Sequence, residues 1–138
     1  MPAKRKKVKR FVIDVNTFIT LFINKDTDWL LQYVLQNKIE IFVDKHLINE
    51  LLLVLSYHKI KKILPLDKHL YANFVLLIST YIKSDEYHIK SPDPKDNYLY
   101  DIALTSNAKL LVTGEKALLN WVDSPIDTIN LTKFKALF

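Results

Sequence analysis

Four short apolar runs, each leading into or out of a segment of helical period, constrain the fold of this chain more than any other feature. They lie at residues 10–15 (RFVIDV), 39–44 (IEIFVD), 109–113 (KLLVT) and 127–131 (DTINL). The first is β-branched and continuously apolar, the pattern of a strand buried on both faces. Between the runs, 3.6-residue spacing predicts helices over 17–24, 28–36, 45–60, 66–82, 95–106 and 115–121, with Asp67 as an N-cap. The stretch 83–97 is polar, carries Pro92 and Pro94, and is expected to be mostly loop. Strands separated by helices, without a hairpin signal, build parallel βαβ units. The expected class is therefore α/β, a three-layer α/β/α sandwich around a central parallel sheet.

Size and composition narrow the function classes. At 138 residues, 49% hydrophobic and 25% charged, the chain suits one domain with an ordinary core. No apolar stretch approaches the roughly 18 residues that span a bilayer, and no small-residue cleavage site follows the basic N-terminus. A soluble, unprocessed, cytoplasmic protein with no membrane partner is expected. The absence of Cys excludes disulfides, thiolate metal sites and cysteine nucleophiles, so any metal must be held by O or N ligands. The net charge of +5 is concentrated in Lys4, Arg5, Lys6, Lys7, Lys9 and Arg10, which leaves the remainder at −1. Residues 1–9 thus read as a basic tail and 10–138 as the domain. The tail either grips phosphates or is a solvated terminus.

In open parallel sheets, ligand sites form beyond the carboxyl ends of the strands. Asp14 and Asn16 stand at such an end, and Thr113 and Glu115 stand at another around Gly114. Gly114 is the only glycine in the chain, far below the usual ~7%, and is expected where a Cβ would be forbidden. Glu50 falls at helical spacing with Leu47, Leu53 and Val54, along an apolar stripe where an unpaired charge is costly unless it snorkels or pairs with a Lys. Asp93 is explained as an N-cap before Pro94. Asp96 heads the buried face of the next helix, set by Leu99 and Ala103, whereas Asp101 reads as solvated or salt-bridged. A sheet ordered 3-2-1-4-5 would bring Asp14, Asp96 and Glu115 together, with Glu50 added from the helix after the second strand. That order needs one more short strand than the four runs supply. Carboxylates about 4 Å apart repel by roughly 4 kcal/mol at an effective dielectric of 20, so such a cluster calls for a cation, and oxygen-only ligands favour Mg2+ or Mn2+.

IDVN (13–16), LINELL (47–52), DPKDNYLYDIAL (93–104) and LLVTGEKALL (110–119), in this order, resemble the PIN-domain family, and within it the toxin components of prokaryotic type II toxin–antitoxin systems. The resemblance runs from Arg10 to about Leu131. It implies a metal-dependent ribonuclease in which Asp14, Glu50, Asp96 and Glu115 are the catalytic, metal-holding acids. Asn16 would accompany Asp14, and Thr113 would lend a hydroxyl near metal or phosphate. The family usually has Asp where this chain has Glu115. The resemblance further implies RNA as substrate, a cognate antitoxin and a homodimer. Lys116 and Lys95 are candidate phosphate contacts, each with an ordinary surface-lysine alternative.

Other classes compete less well. A catalytically silent PIN-like module that binds RNA or protein is kept open by Glu115. A phosphatase of the haloacid dehalogenase type needs an acid two residues after Asp14, where Asn16 cannot transfer a proton, and a receiver domain lacks its N-terminal acidic pair. His46, His58, His69 and His88 fall in no spaced ligand motif and read as surface or core-edge residues. Trp29 and Trp121 read as packing aromatics.

Overall fold

The computed structural model describes residues 9–138. The basic run at 1–8 lies outside the described residues. Five parallel strands form one sheet in the order β3-β2-β1-β4-β5. They are β1 (Lys9–Ile13), β2 (Ile39–Val43), β3 (Ser79–Tyr81), β4 (Leu110–Val112) and β5 (Asp127–Ile129). β1 is central. Its register pairs Phe11 with Ile41 of β2 on one side and with Leu110 of β4 on the other. Phe11, Val12 and Ile13 are fully buried, which is why this run lacks the alternation of a half-exposed strand.

The helices are α1 (Val15–Ile23), α2 (Thr27–Leu35), α3 (Lys45–Leu55), α4 (His58–Ile63), α5 (Lys68–Ile78), α6 (Asn97–Ser106), α7 (Lys116–Leu119) and α8 (Leu131–Ala136). Both faces of the sheet are covered. Phe11 stacks on Phe134 of α8, and Phe134 meets Trp29 of α2 edge-on. Arg10, one residue along and so on the opposite face, donates to the carbonyl of Ser106 at the end of α6. The result is the three-layer α/β/α sandwich and the strand order expected from the sequence. Trp29 and Trp121 pack against Phe134 and Tyr100, as their patterns predict.

Three elements depart from the sequence reading. The segment 66–82 is not one helix: α5 ends at Ile78, and Ser79–Tyr81 is the missing fifth strand. No Gly or Pro punctuates the switch, and three residues are too few to show a period of two. The segment 45–60 breaks at Ser56, whose hydroxyl turns back to the Leu52 carbonyl, and Tyr57 is extended, so α4 starts anew. α8, for which no helix was expected, follows β5 directly and is capped by Asn130, whose side chain accepts from the Lys133 amide. Asp67 caps α5 as expected, accepting from the His69 amide. Asp101 is held by a backbone donor rather than by an ion pair, since it accepts from the Tyr87 amide at 2.9 Å.

The order of connections reverses between β1 and β4: the chain moves outward through β2 and β3, then crosses back to β4 and β5. Such a switch point leaves a crevice beyond the carboxyl ends of the two central strands.

Candidate functional site

Asp14 follows β1 directly. Its amide continues the ladder to the Val112 carbonyl of β4 at 3.0 Å, and its Oδ1 accepts from the Thr17 amide at 2.8 Å, capping α1. Its Oδ2 accepts a short hydrogen bond from the hydroxyl of Thr113, which follows β4. The Thr113 hydroxyl also accepts from the Glu115 amide at 3.1 Å. One buried hydroxyl thus ties the ends of both central strands. Burial pushes the Asp14 carboxyl up, against the pull of the Thr113 and Thr17 donors.

These strand ends form one side of a cleft of about 830 Å3, lined by Asp14, Asn16, Glu50, Asp93, Asp96 and Glu115, among others. All four acids inferred from the sequence reach it, with Asn16. Carboxylate oxygens of Asp93, Asp96 and Glu115 lie within 4.8 Å of one another. Asp14 and Glu50 face the same cleft outside this tight group. Glu50 has no ion-pair partner among the described residues, so the Lys pairing considered for it is not made.

Asp93 joins the cluster although capping accounts for it in the sequence. It does cap, with Oδ1 accepting from the Lys95 amide at 3.0 Å, and its other oxygen is 3.8 Å from the Lys95 ammonium. A capping carboxylate has a second oxygen to spare, and no sequence signal marks where that oxygen faces. Asp96 is the exposed flaw in the arrangement: its Oδ2 is buried with no hydrogen-bond partner. Burial, then the Glu115 carboxyl beside it, then Asp93 and Asp14, push its carboxyl up to about 7. Tyr98 lines the same cleft, and burial together with Glu50, Asp14, Asp96 and Asp44 drives its phenol far above the usual range.

Two expectations need correction. Gly114 has no positive φ, and a Cβ built on it would meet nothing within 4 Å. Neither backbone conformation nor a neighbouring protein atom demands a glycine; its Cα faces the open cleft that it helps to line. Lys116 is exposed and does not line the cleft, whereas Lys59 and Lys95 do. Lys59 was hidden because α4 was read as the tail of α3. A further buried acid, Asp44, was overlooked after β2, although "IFVD" ends like "FVID".

A family model described as PIN domain matches residues 10–117. The chain belongs to the PIN-domain family. No curated protein matches it significantly. PIN domains are generally nucleases and typically use divalent metals, and this PIN domain has a donor set that suits such an ion. Its ligand atoms are all carboxylate oxygens, one of them buried without a partner, at separations that hard divalent cations bridge through bonds of roughly 2.0–2.6 Å. No helix among the described residues is long and apolar enough to cross a membrane.

Proposed function

We propose that this protein is a divalent-metal-dependent endoribonuclease and the toxin of a toxin–antitoxin pair. The observation that carries the reading is the unpaired Asp96 carboxylate, set among Asp93 and Glu115 at the switch point of a PIN domain. A fold gains no stability from such a group, and a cation would satisfy it. Mg2+, or Mn2+, is the ion that oxygen-only ligands favour.

In this reading Asp93, Asp96 and Glu115 hold the cation, and Asp14 and Glu50 add negative field and orient water from the cleft walls. When bound, the ion would supply Lewis acidity to water and to the phosphodiester oxygens. Thr113 keeps Asp14 ionised and aimed, and Asn16 offers an amide at the cleft edge. Lys95 and Lys59 line the cleft as phosphate contacts, and Lys116 lies outside it. That Glu115 contributes to the trio despite its extra methylene supports an active site over a silent scaffold.

The antitoxin, homodimer and cytoplasmic setting belong to the same reading. One cleft wall is apolar and half-exposed through Leu53 and Tyr57, a surface that a bound antitoxin would cover. The test is cleavage of structured RNAs by purified protein with Mg2+, Mn2+ or EDTA, beside an Asp14→Asn control. Metal-dependent cleavage lost in the control supports the reading. Equal cleavage by both, or none by the folded wild type with either ion, overturns it.

A further inference from the structure

A second cavity, of about 690 Å3, opens beside the acidic cleft and shares Glu50 with it. It lies beyond the carboxyl ends of β2 and β3, where Asp44, Lys45 and His46 begin α3 and Tyr81 to Ser84 leave the sheet. Its buried carboxylate is already satisfied. Asp44 Oδ1 accepts from the Leu47 amide and Oδ2 from the Ser84 hydroxyl, both at 2.9 Å. Lys45 and Lys83 are exposed and have no ion-pair partner among the described residues. The His46 ring stacks on Tyr98, with centroids 4.0 Å apart and planes at 7°. Tyr98 lines the acidic cleft and His46 the second cavity, so the stacked pair forms the ridge between them.

We propose that this cavity receives a nucleotide flanking the scissile phosphate of single-stranded RNA. His46 is the platform for its base, and Lys45 and Lys83 hold its phosphate. The inference rests on the nuclease reading above and adds the path of the strand. A strand leaving the cleft meets five carboxylates against two lysines there, whereas the adjoining cavity offers unpaired ammonium groups. An aromatic ring backed by a second ring loses little freedom when a base stacks on it, and half-exposed Tyr81 supplies another π-face. Only an unpaired base can present its face in this way, which selects single strands over duplex. The volume is within the ~300–1,000 Å3 of small-ligand sites, room for a nucleotide rather than a helix.

The test measures binding of a labelled single-stranded RNA to the full chain in Ca2+, and cleavage in Mn2+, for wild type, His46→Ala, His46→Phe and Lys45→Ala/Lys83→Ala. His46→Ala should bind roughly tenfold more weakly and raise KM, and His46→Phe should restore most of the loss. An abasic nucleotide next to the cut should weaken binding by the wild type and leave His46→Ala unaffected, which a merely structural role of the ring would not produce. The double lysine variant should lower the salt slope of binding by about 1.4, at roughly 0.7 per single-strand phosphate contact. A wild type that cleaves RNA while His46→Ala keeps its KM and its abasic sensitivity overturns the cavity assignment alone. A wild type that is folded but neither binds nor cleaves overturns the nuclease reading and this one with it.

Discussion

Replacing Asp96 by Asn removes one negative charge from the trio and keeps the side-chain shape. At 4.8 Å, the outer separation of the three oxygens, a pair of full charges repels by about 3.5 kcal/mol at a dielectric of 20 and about 0.9 kcal/mol in water. The Asp96 carboxyl, raised from 3.8 to about 7, converts at face value to about 4 kcal/mol of ionisation penalty. Asp96 is only partly buried, and solvent screening reduces this to about 1–2 kcal/mol. The sign follows from linkage: the folded state keeps a proton that the unfolded state has already released. Wild-type stability therefore declines as pH rises from about 4 to about 7 and is level in this respect above that. The Asn variant lacks this decline. In EDTA at pH 8 it should melt about 3–6 °C above wild type, and at pH 4 the two should converge. Saturating Mg2+ should then reverse the order, because wild type gains binding energy by mass action, about 2.7 kcal/mol at a hundred times Kd, and the variant gains little. Thermal melts across pH 4–8, with and without metal, read all of these differences. An Asn variant no more stable than wild type at pH 8 in EDTA would refute the electrostatic account of the cluster.

Thr113→Val leaves a buried carboxylate oxygen of Asp14 and the Glu115 amide without their shared partner, and should cost about 1–3 kcal/mol in urea unfolding, with Thr113→Ser recovering most of it. Gly114→Ala should fold with stability unchanged or raised by up to about 1 kcal/mol, since the new methyl meets open space, while cleavage slows because that methyl enters the cleft; a large drop in Tm would contradict the open surroundings. Glu115→Asp should keep or raise cleavage and tighten metal binding, and Glu115→Gln should lower both, as read by calorimetric Mn2+ titration. If neither substitution moves affinity or rate, Glu115 serves only to start α7.

The parts of the fold legible in the sequence are those where one physical signal dominates. β1 and β2 are buried on both faces, so their runs are unbroken, and the acid after each marks the strand end. β3 was illegible because Leu76, Leu77 and Ile78 run into Ser79, Thr80 and Tyr81 as one apolar segment, and pairing with β2, a tertiary event, decides the switch. The cleft acids were legible by topology: once the strand order is known, whatever follows β1 and β4 must meet. Two failures share another cause. Asp93 was absorbed by its capping role and Gly114 by its rarity, and in both a sufficient local explanation concealed which way the group faces.

Counting donors to each carboxylate separates acids that build this site from acids that work in it. Asp14 and Asp44 use one device: each follows a strand, caps the next helix through the amide three residues on, and gives its second oxygen to a hydroxyl just beyond the neighbouring strand. Thr113 follows β4 beside β1, and Ser84 lies beyond β3 beside β2. Four donors thus compensate two buried acids, and the device locks the strand ends that frame both cavities. Asp96 receives no such support at Oδ2, and the groups nearest to it are other acids. Nothing in folding accounts for that placement, since an Asn there would pack equally well without the repulsion. The carboxylate without donors is the one whose charge must be meant for something outside the chain, and the rigid frame around it holds that charge in place.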